Sequence, residues 1–287
     1  MQYPASELVL DSKGRVYHLG LAPAELSTQI ILVGDQDRVP LVSAFFDTIE
    51  HRSQHREFVC HTGTYKGKRI SVLSTGIGTD NIDIAINELD ALHNIDLVNR
   101  CDKESFTPLE MIRIGTCGIL QPEIPVHSYL LTSHAFGLDN VAHFYPIHFS
   151  SEEQLIQQKL TEHLALPSTI QPYCSKGSDY LLSKLRSETT FEGITVTSSG
   201  FYAPQGRSLR LGLRQPDINE RLMAFQSNQL KVINFEMESS AIYALGKAMG
   251  HHCATICLGV ANRPNLAFSK GYNNEMNALI EYVLNRI

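Results

Sequence analysis

Short apolar runs recur along the chain at residues 29–33, 69–74, 110–114, 128–133, 194–198, 231–235 and 252–259. Several are rich in β-branched residues and bounded by glycine, the pattern of strands buried on both faces. Between them lie stretches with apolar residues at helical spacing. Residues 37–48 set Val39, Val42, Phe45 and Phe46 on one side of a helix, and residues 81–93 do the same with Ile82, Ala85, Ile86, Leu89 and Leu92. Residues 152–164, 179–187, 238–249 and 274–287 read as further helices. Strands apolar on both faces need helices on both faces to cover them, so the alternation predicts a mixed or mainly parallel sheet enclosed by helices.

Two stretches break the rhythm. Residues 94–107 are polar and read as a surface insertion. Residues 200–226 mix Gly, Pro and Arg and read as an active-site flap followed by a connector. No linker-like segment and no internal repeat divides the chain, so residues 1–287 are expected to form one domain.

Composition excludes several function classes. The net charge is −6 and no Lys/Arg run reaches five residues, which argues against a nucleic-acid footprint. No apolar stretch approaches the ~20 residues that span a bilayer. The start, Met1-Gln2-Tyr3-Pro4, has neither the basic nor the apolar part of a signal peptide, so a cytoplasmic protein with reduced cysteines is expected. Cys253 and Cys257 lie close together, but no second close pair completes a zinc site.

Certain segments carry candidate chemistry. Val33-Gly34-Asp35-Gln36-Asp37-Arg38 joins a strand to a helix. It reads either as an anion site with Arg38 as the charged fork or as a glycine turn with Asp35 capping the helix. Ser74-Thr75-Gly76-Ile77-Gly78-Thr79-Asp80-Asn81 lacks the third glycine of a dinucleotide fingerprint, and a tight turn beside a small ligand fits better. In Arg113-Ile114-Gly115-Thr116-Cys117-Gly118 an arginine ends a buried strand, which requires an anion or an internal carboxylate to meet it. Phe235-Glu236-Met237-Glu238-Ser239 offers carboxylates that could grip ribose hydroxyls or simply start a helix. Phe201-Tyr202-Ala203-Pro204-Gln205-Gly206-Arg207 could match the edge of a uracil ring or form a solvated turn.

Taken in order and at this spacing, these segments resemble the nucleoside phosphorylase family that contains uridine and purine nucleoside phosphorylases. The resemblance runs from about Tyr17 to Arg263. It implies a three-layer α/β/α sandwich around a mixed, barrel-like central sheet, with no cofactor and with inorganic phosphate as co-substrate. By position, Gly34, Arg38, Arg113 and Thr116 would hold phosphate. Glu236, Met237 and Glu238 would hold ribose, Glu238 gripping its hydroxyls. Gln205 and Arg207 would read the base, with Phe201 packed on it and Gly118 alongside. Arg113, Arg207 and Gln205 would carry the catalytic electrostatics. Val16-Tyr17-His18-Leu19-Gly20-Leu21 and Gln54-His55-Arg56-Glu57-Phe58 resemble segments that send a His and an Arg into a neighbouring subunit's sugar and phosphate sites. The resemblance therefore implies a homodimer or a trimer of dimers, and leaves room for a monovalent cation near Glu57.

The Gln-Gly-Arg triplet after Phe-Tyr resembles the uridine branch. The chain departs from the family pattern at Asp80 and Asn81, where Pro or Ala and then Ser are usual, at Asp83, which replaces a small residue, and at Cys117, where Thr or Ser is common. Purine enzymes of the family place an acid after the last core strand, where this chain has Asn262. The expected activity is therefore phosphorolysis of a pyrimidine nucleoside, uridine first. The alternatives are a purine phosphorylase, a hydrolytic nucleosidase, or a nucleoside-binding protein without catalysis.

Overall fold

The computed structural model describes residues 2–287. Its first strand, β1 (Gln29–Val33), shows how the layers arise. Ile30 and Leu32 join one apolar cluster, and Ile31 and Val33 join another on the opposite face. Alternation along a pleated strand requires this.

After β1 come α1 (Arg38–Ser43), β2 (Thr48–His55), β3 (Phe58–Tyr65), β4 (Lys68–Ser74) and α2 (Thr79–Asn94). A small ribbon, β5 (Ile95–Asp96) with β6 (Cys101–Asp102), precedes β7 (Glu110–Ile119) and β8 (Tyr129–Gly137). Next are α3 (Ser151–Leu164), β9 (Tyr173–Lys176), α4 (Asp179–Leu185) and β10 (Thr190–Thr197). The chain ends with α5 (Ile218–Ala224), β11 (Gln226–Ser227), β12 (Leu230–Glu236), α6 (Ser239–Ala248), β13 (His252–Asn262), β14 (Ala267–Phe268) and α7 (Asn273–Leu284).

The main sheet runs β11-β12-β10-β8-β13-β7-β1-β4-β3-β2, and β12 pairs a second time with β7. That extra pairing, Asn234 with Ile119 and Phe235 with Gly118, closes β7, β13, β8, β10 and β12 into a barrel. Cys117, Ile119, Leu130, Ile233 and Cys257 form an apolar cluster contributed by four of these strands. The other strands extend from the barrel as a wing. Helices α2 and α6 cover one face through Ile82, Ile86, Leu89, Ile242 and Leu245. On the other face lie α1, α4 and α7, through Val39, Leu181, Leu182, Leu279 and Ile280. Helices α3 and α5 pack on β10 and β12 through Ile156, Leu160, Ile218 and Leu222. The three-layer sandwich around a barrel-like mixed sheet is the architecture expected from the sequence.

Several boundaries differ from expectation. The helix read over residues 37–48 stops at Ser43, and the chain turns into the β2–β3 hairpin. β2 lies at the end of the sheet order and is mostly exposed, so it carries no apolar period to read. The polar stretch 94–107 is not a free insertion. Its ribbon pairs with the start of the chain, Gln2 bridging Cys101 and Tyr3 N–H donating to the Arg100 carbonyl. The 200–226 segment contains α5, which its Gly and Pro content concealed. No helix among the described residues is long and apolar enough to cross a membrane.

Leu89 lies wholly buried between the sheet and α6. Leu89→Ala is expected to lower stability by about 2–5 kcal/mol, the usual cost of a large-to-small core change, read from a denaturant titration.

Candidate active site

Residues of β7, β12 and β13 and the turns after β1, β4 and β12 converge with the 201–207 loop on one cavity of about 850 Å³. Carboxyl ends of strands are where open α/β sheets place ligands. Gly34, Arg38, Arg113, Thr116, Gly118, Phe201, Gln205, Arg207, Glu236, Met237 and Glu238 all line it. Cys117 and Asn81 line it too.

Arg113 is the centre of the polar end. Its guanidinium folds back over Gly115, where a Cβ would lie 2.0 Å from Nη1 and 2.9 Å from Cys257 Sγ. A glycine is thus required two residues after the arginine. Nη2 donates to Glu238 Oε2, Nη1 sits 3.4 Å from Glu236 Oε2, and Nη1 also donates to Cys257 Sγ at 3.3 Å. Burial disfavours the charge on Arg113, but Glu238 and Glu236 more than offset it and hold the guanidinium protonated. Nε remains buried without a hydrogen-bond partner. The neighbouring Cys117 thiol and the Arg113 charge pull the Cys257 thiol below its usual range against the opposing effect of burial.

The two carboxylates differ in how much capacity they have left. Glu236 accepts from Thr197 Oγ1 at 2.6 Å, from Glu238 N–H at 2.9 Å and from Ser239 N–H at 2.9 Å. It caps α6 and supports Arg113. Glu238 accepts from Arg113 and from Gly78 N–H at 2.8 Å. Burial pushes its pKa up, with Arg113 opposing and Glu236 adding to the rise. The Gly78 contact joins the turn after β4 to the start of α6, so two of the segments singled out in the sequence meet here. Arg38 reaches the same end of the cavity, and Nη1 donates to the Ile114 carbonyl at 3.3 Å. Burial and the nearby Arg113 push its pKa down. Two near guanidiniums lining one end of a cavity form a place that can hold an anion.

The other end is formed by Gln205 and Arg207. Arg207 Nη1 donates to Gln205 Oε1 and to the Phe201 carbonyl, both at 2.6 Å, and its guanidinium lies 3.8 Å over the Phe201 ring. Burial, and then Arg263, lowers the Arg207 pKa to about 10, which leaves it protonated at neutral pH. With Gln205 Oε1 engaged, the amide NH₂ is the group left to donate. Arg263 stands beside Gly118 and donates through Nη2 to the Gly206 carbonyl at 3.2 Å, while Nη1 is buried without a partner. Sequence reasoning passed over Arg263. The same signal that singled out Arg113, an arginine closing a buried strand, was present at the end of β13. Asn262 does not line the cavity. Its amide donates to the Gln121 and Ile124 carbonyls at 3.0 and 2.9 Å and anchors a loop.

His18 and Arg56 lie outside this cavity. Arg56 occupies the β2–β3 turn with φ 55°, its guanidinium 5.5 Å over the Tyr17 ring. The His18 ring packs edge-on against Tyr17, its Nδ1 lies 2.6 Å from Glu88 Oε1, and its carbonyl lies 2.8 Å from His55 Nδ1. The two residues expected to serve a neighbouring subunit thus form one surface cluster. Asp83, a departure from the family pattern, accepts from Tyr145 Oη at 2.5 Å and does not line the cavity.

The model of the phosphorylase superfamily matches residues 28–281. The chain belongs to the phosphorylase superfamily. A uridine phosphorylase of Thermococcus kodakarensis is 30% identical over 280 residues, covering 96% of this chain and 87% of that protein. A purine nucleoside phosphorylase of Brevibacillus brevis is 29% identical over 229 residues, covering 79% of each. The solved structure of a Trypanosoma brucei nucleoside phosphorylase described as showing uridine phosphorylase activity superimposes with a TM-score of 0.89 at 30% identity, covering 98% of this chain and 99% of that one.

Within this superfamily framework, Gly115 is the position against the Arg113 guanidinium that leaves no room for a side chain. Gly115→Ala is expected to displace the Arg113 guanidinium and lower kcat/KM about a hundredfold, since small misplacements of a positioning group cost that much. Steady-state kinetics with phosphate varied, alongside circular dichroism to show a retained fold, would check it.

Proposed function

We propose that this chain cleaves a pyrimidine nucleoside, uridine above others, with inorganic phosphate, giving the free base and ribose 1-phosphate. One observation carries the reading: a single cavity has guanidiniums at both ends, Arg38 and Arg113 at one and Arg207 at the other, with the Glu238 carboxylate among its lining. Phosphorolysis has that charge pattern. A dianion attacks C1′, positive charge builds on the sugar, and negative charge builds on the departing base. A hydrolase has no use for the first guanidinium pair.

In this reading Gly34, Arg38, Arg113 and Thr116 hold phosphate, joined by Arg56 of the partner subunit. Glu238 accepts from the ribose hydroxyls, with Met237 beside it, Glu236 supporting Arg113, and His18 of the partner subunit closing the sugar site. Gln205 and Arg207 meet the uracil edge, Phe201 and Gly118 flank the ring, and Arg263 adds charge near Arg207. No protein nucleophile is needed, so positioning and electrostatics supply the rate. The bonds from Arg207 and Gln205 strengthen as the base becomes anionic, so they favour the transition state over the bound substrate. Glu57 and Asn81 line the same cavity and offer oxygens of the kind a monovalent cation takes. The enzyme works as a homodimer or a trimer of such dimers, in the cytoplasm; its cysteines are all free.

Three outcomes test this. Uridine is expected to be cleaved far better than cytidine, inosine or adenosine. Cytosine presents a donor where the site has donors, and a site built for one hydrogen-bonding edge rejects the mismatch by about 10⁴. Values of kcat/KM at saturating phosphate decide it, and inosine matching uridine would overturn the pyrimidine assignment. Arg113→Ala is expected to lower turnover ~100-fold or more and to weaken phosphate dependence. Finally, inactive Arg56→Ala and Arg113→Ala chains, mixed under conditions of subunit exchange, are expected to regain activity because one site of the mixed dimer is intact. A mixture that stays dead after exchange would exclude shared sites.

A further inference from the structure

Asp139, just beyond β8, is a buried carboxylate that the proposed mechanism does not use. It accepts from Tyr173 Oη at 2.8 and 2.9 Å, from Ser240 Oγ at 2.6 Å and from Val141 N–H at 3.0 Å. The packing around it is tight: a Cβ on Gly137 would lie 2.8 Å from Asp139 Oδ2 and 2.7 Å from the Tyr173 ring. Ser240 lies in the first turn of α6. Its N–H donates to Thr197 Oγ1 at 3.0 Å, and Thr197 Oγ1 donates to Glu236 Oε1. Glu236 in turn accepts the N–H groups of Glu238 and Ser239 and faces Arg113. An unbroken buried path therefore leads from Asp139 to the residues that hold Glu238.

The rest of α6 has its own anchor. Tyr243 Oη donates to the Thr132 carbonyl at 2.8 Å and accepts from Thr255 N–H at 2.8 Å. Loss of Asp139 would thus free the first turn of the helix without releasing the helix. We propose that Asp139 is a positioning residue that fixes, through Ser240, the turn from which Glu238 reaches the sugar. A buried carboxylate that meets three donors, from Tyr173, Ser240 and Val141, holds that turn more firmly than a neutral group could, because hydrogen bonds to an ionised acceptor are the stronger ones. The consequence is sugar selectivity. A displaced Glu238 loses its hold on the ribose hydroxyls, and the loss is felt by a nucleoside with a 2′-hydroxyl more than by one without. This inference rests on the proposed function.

The test compares wild type, Asp139→Asn and Ser240→Ala on the ribo- and 2′-deoxyribonucleosides of the base that wild type cleaves best. Asp139→Asn keeps the shape and removes the charge; Ser240→Ala removes a single hydroxyl and serves if the first variant does not fold. Both are expected to lower kcat/KM for the ribonucleoside by about tenfold to a hundredfold. The preference for ribose over 2′-deoxyribose is expected to narrow by roughly tenfold, the worth of a lost hydrogen bond to a charged group. Equal losses for the two sugars would reduce Asp139 to a structural role and overturn the proposal, as would unchanged kinetics in both folded variants. Failure of the functional reading is separate: it shows as wild type cleaving no nucleoside in the presence of phosphate.

Discussion

The buried ion pair between Arg113 and Glu238, with Glu236 behind it, is the constraint on which the rest of the site depends. Taking these charges out of water is expensive, and their mutual attraction does little more than repay it, so the cluster is not there for stability. It imposes demands all around itself. Gly115 must lack a side chain so that the guanidinium can fold back. Gly78 must present its N–H to Glu238. Thr197 and the first peptide groups of α6 must saturate Glu236. Removing any one of these would leave a buried charge incompletely met, which is the costly condition.

The barrel is what brings these groups together. Arg113 lies on β7, Glu236 ends β12 and Glu238 follows it, and the two strands are neighbours only because the sheet closes. The closing pairs, Asn234 with Ile119 and Phe235 with Gly118, lie next to Glu236 on one strand and within a few residues of Arg113 on the other. An open sheet with the same strands would leave β10, β8 and β13 between the glutamates and Arg113. Closure therefore serves the chemistry as well as the edge groups it satisfies.

How much of this was legible depended on which physical signal each residue left in the chain. Buried parallel strands leave apolar runs, so β1, β4 and β13 were plain. The β2–β3 hairpin was hidden because an exposed edge strand has no apolar face to alternate. The lengthening of β7 through Thr116, Cys117 and Gly118 was hidden because small and polar residues facing a cavity do not look like core. Arg113 could be picked out as a group too costly to bury unmatched and the glutamates as acceptors for ribose hydroxyls, yet their pairing could not, since Arg113 and Glu238 are far apart in the chain and only barrel closure unites them. Arg263 carried the same signal as Arg113 and could have been read. Asp139 gave none, because a lone acid in a Gly-Leu-Asp-Asn stretch looks like a turn.

The β2–β3 hairpin also decides where Arg56 lies. Its turn holds Arg56 in the left-handed region. Glu57 enters the cavity, while Arg56 is carried outward onto Tyr17. Glu88, from the middle of α2, fixes the adjacent segment by accepting the N–H groups of His18 and Leu19 as well as facing the His18 ring. A long helix, a turn and an aromatic ring thus cooperate to present a guanidinium and an imidazole away from the protein's own cavity. Ordering long polar side chains at a surface costs conformational entropy. An arrangement this well supported suits the role proposed above for Arg56 and His18.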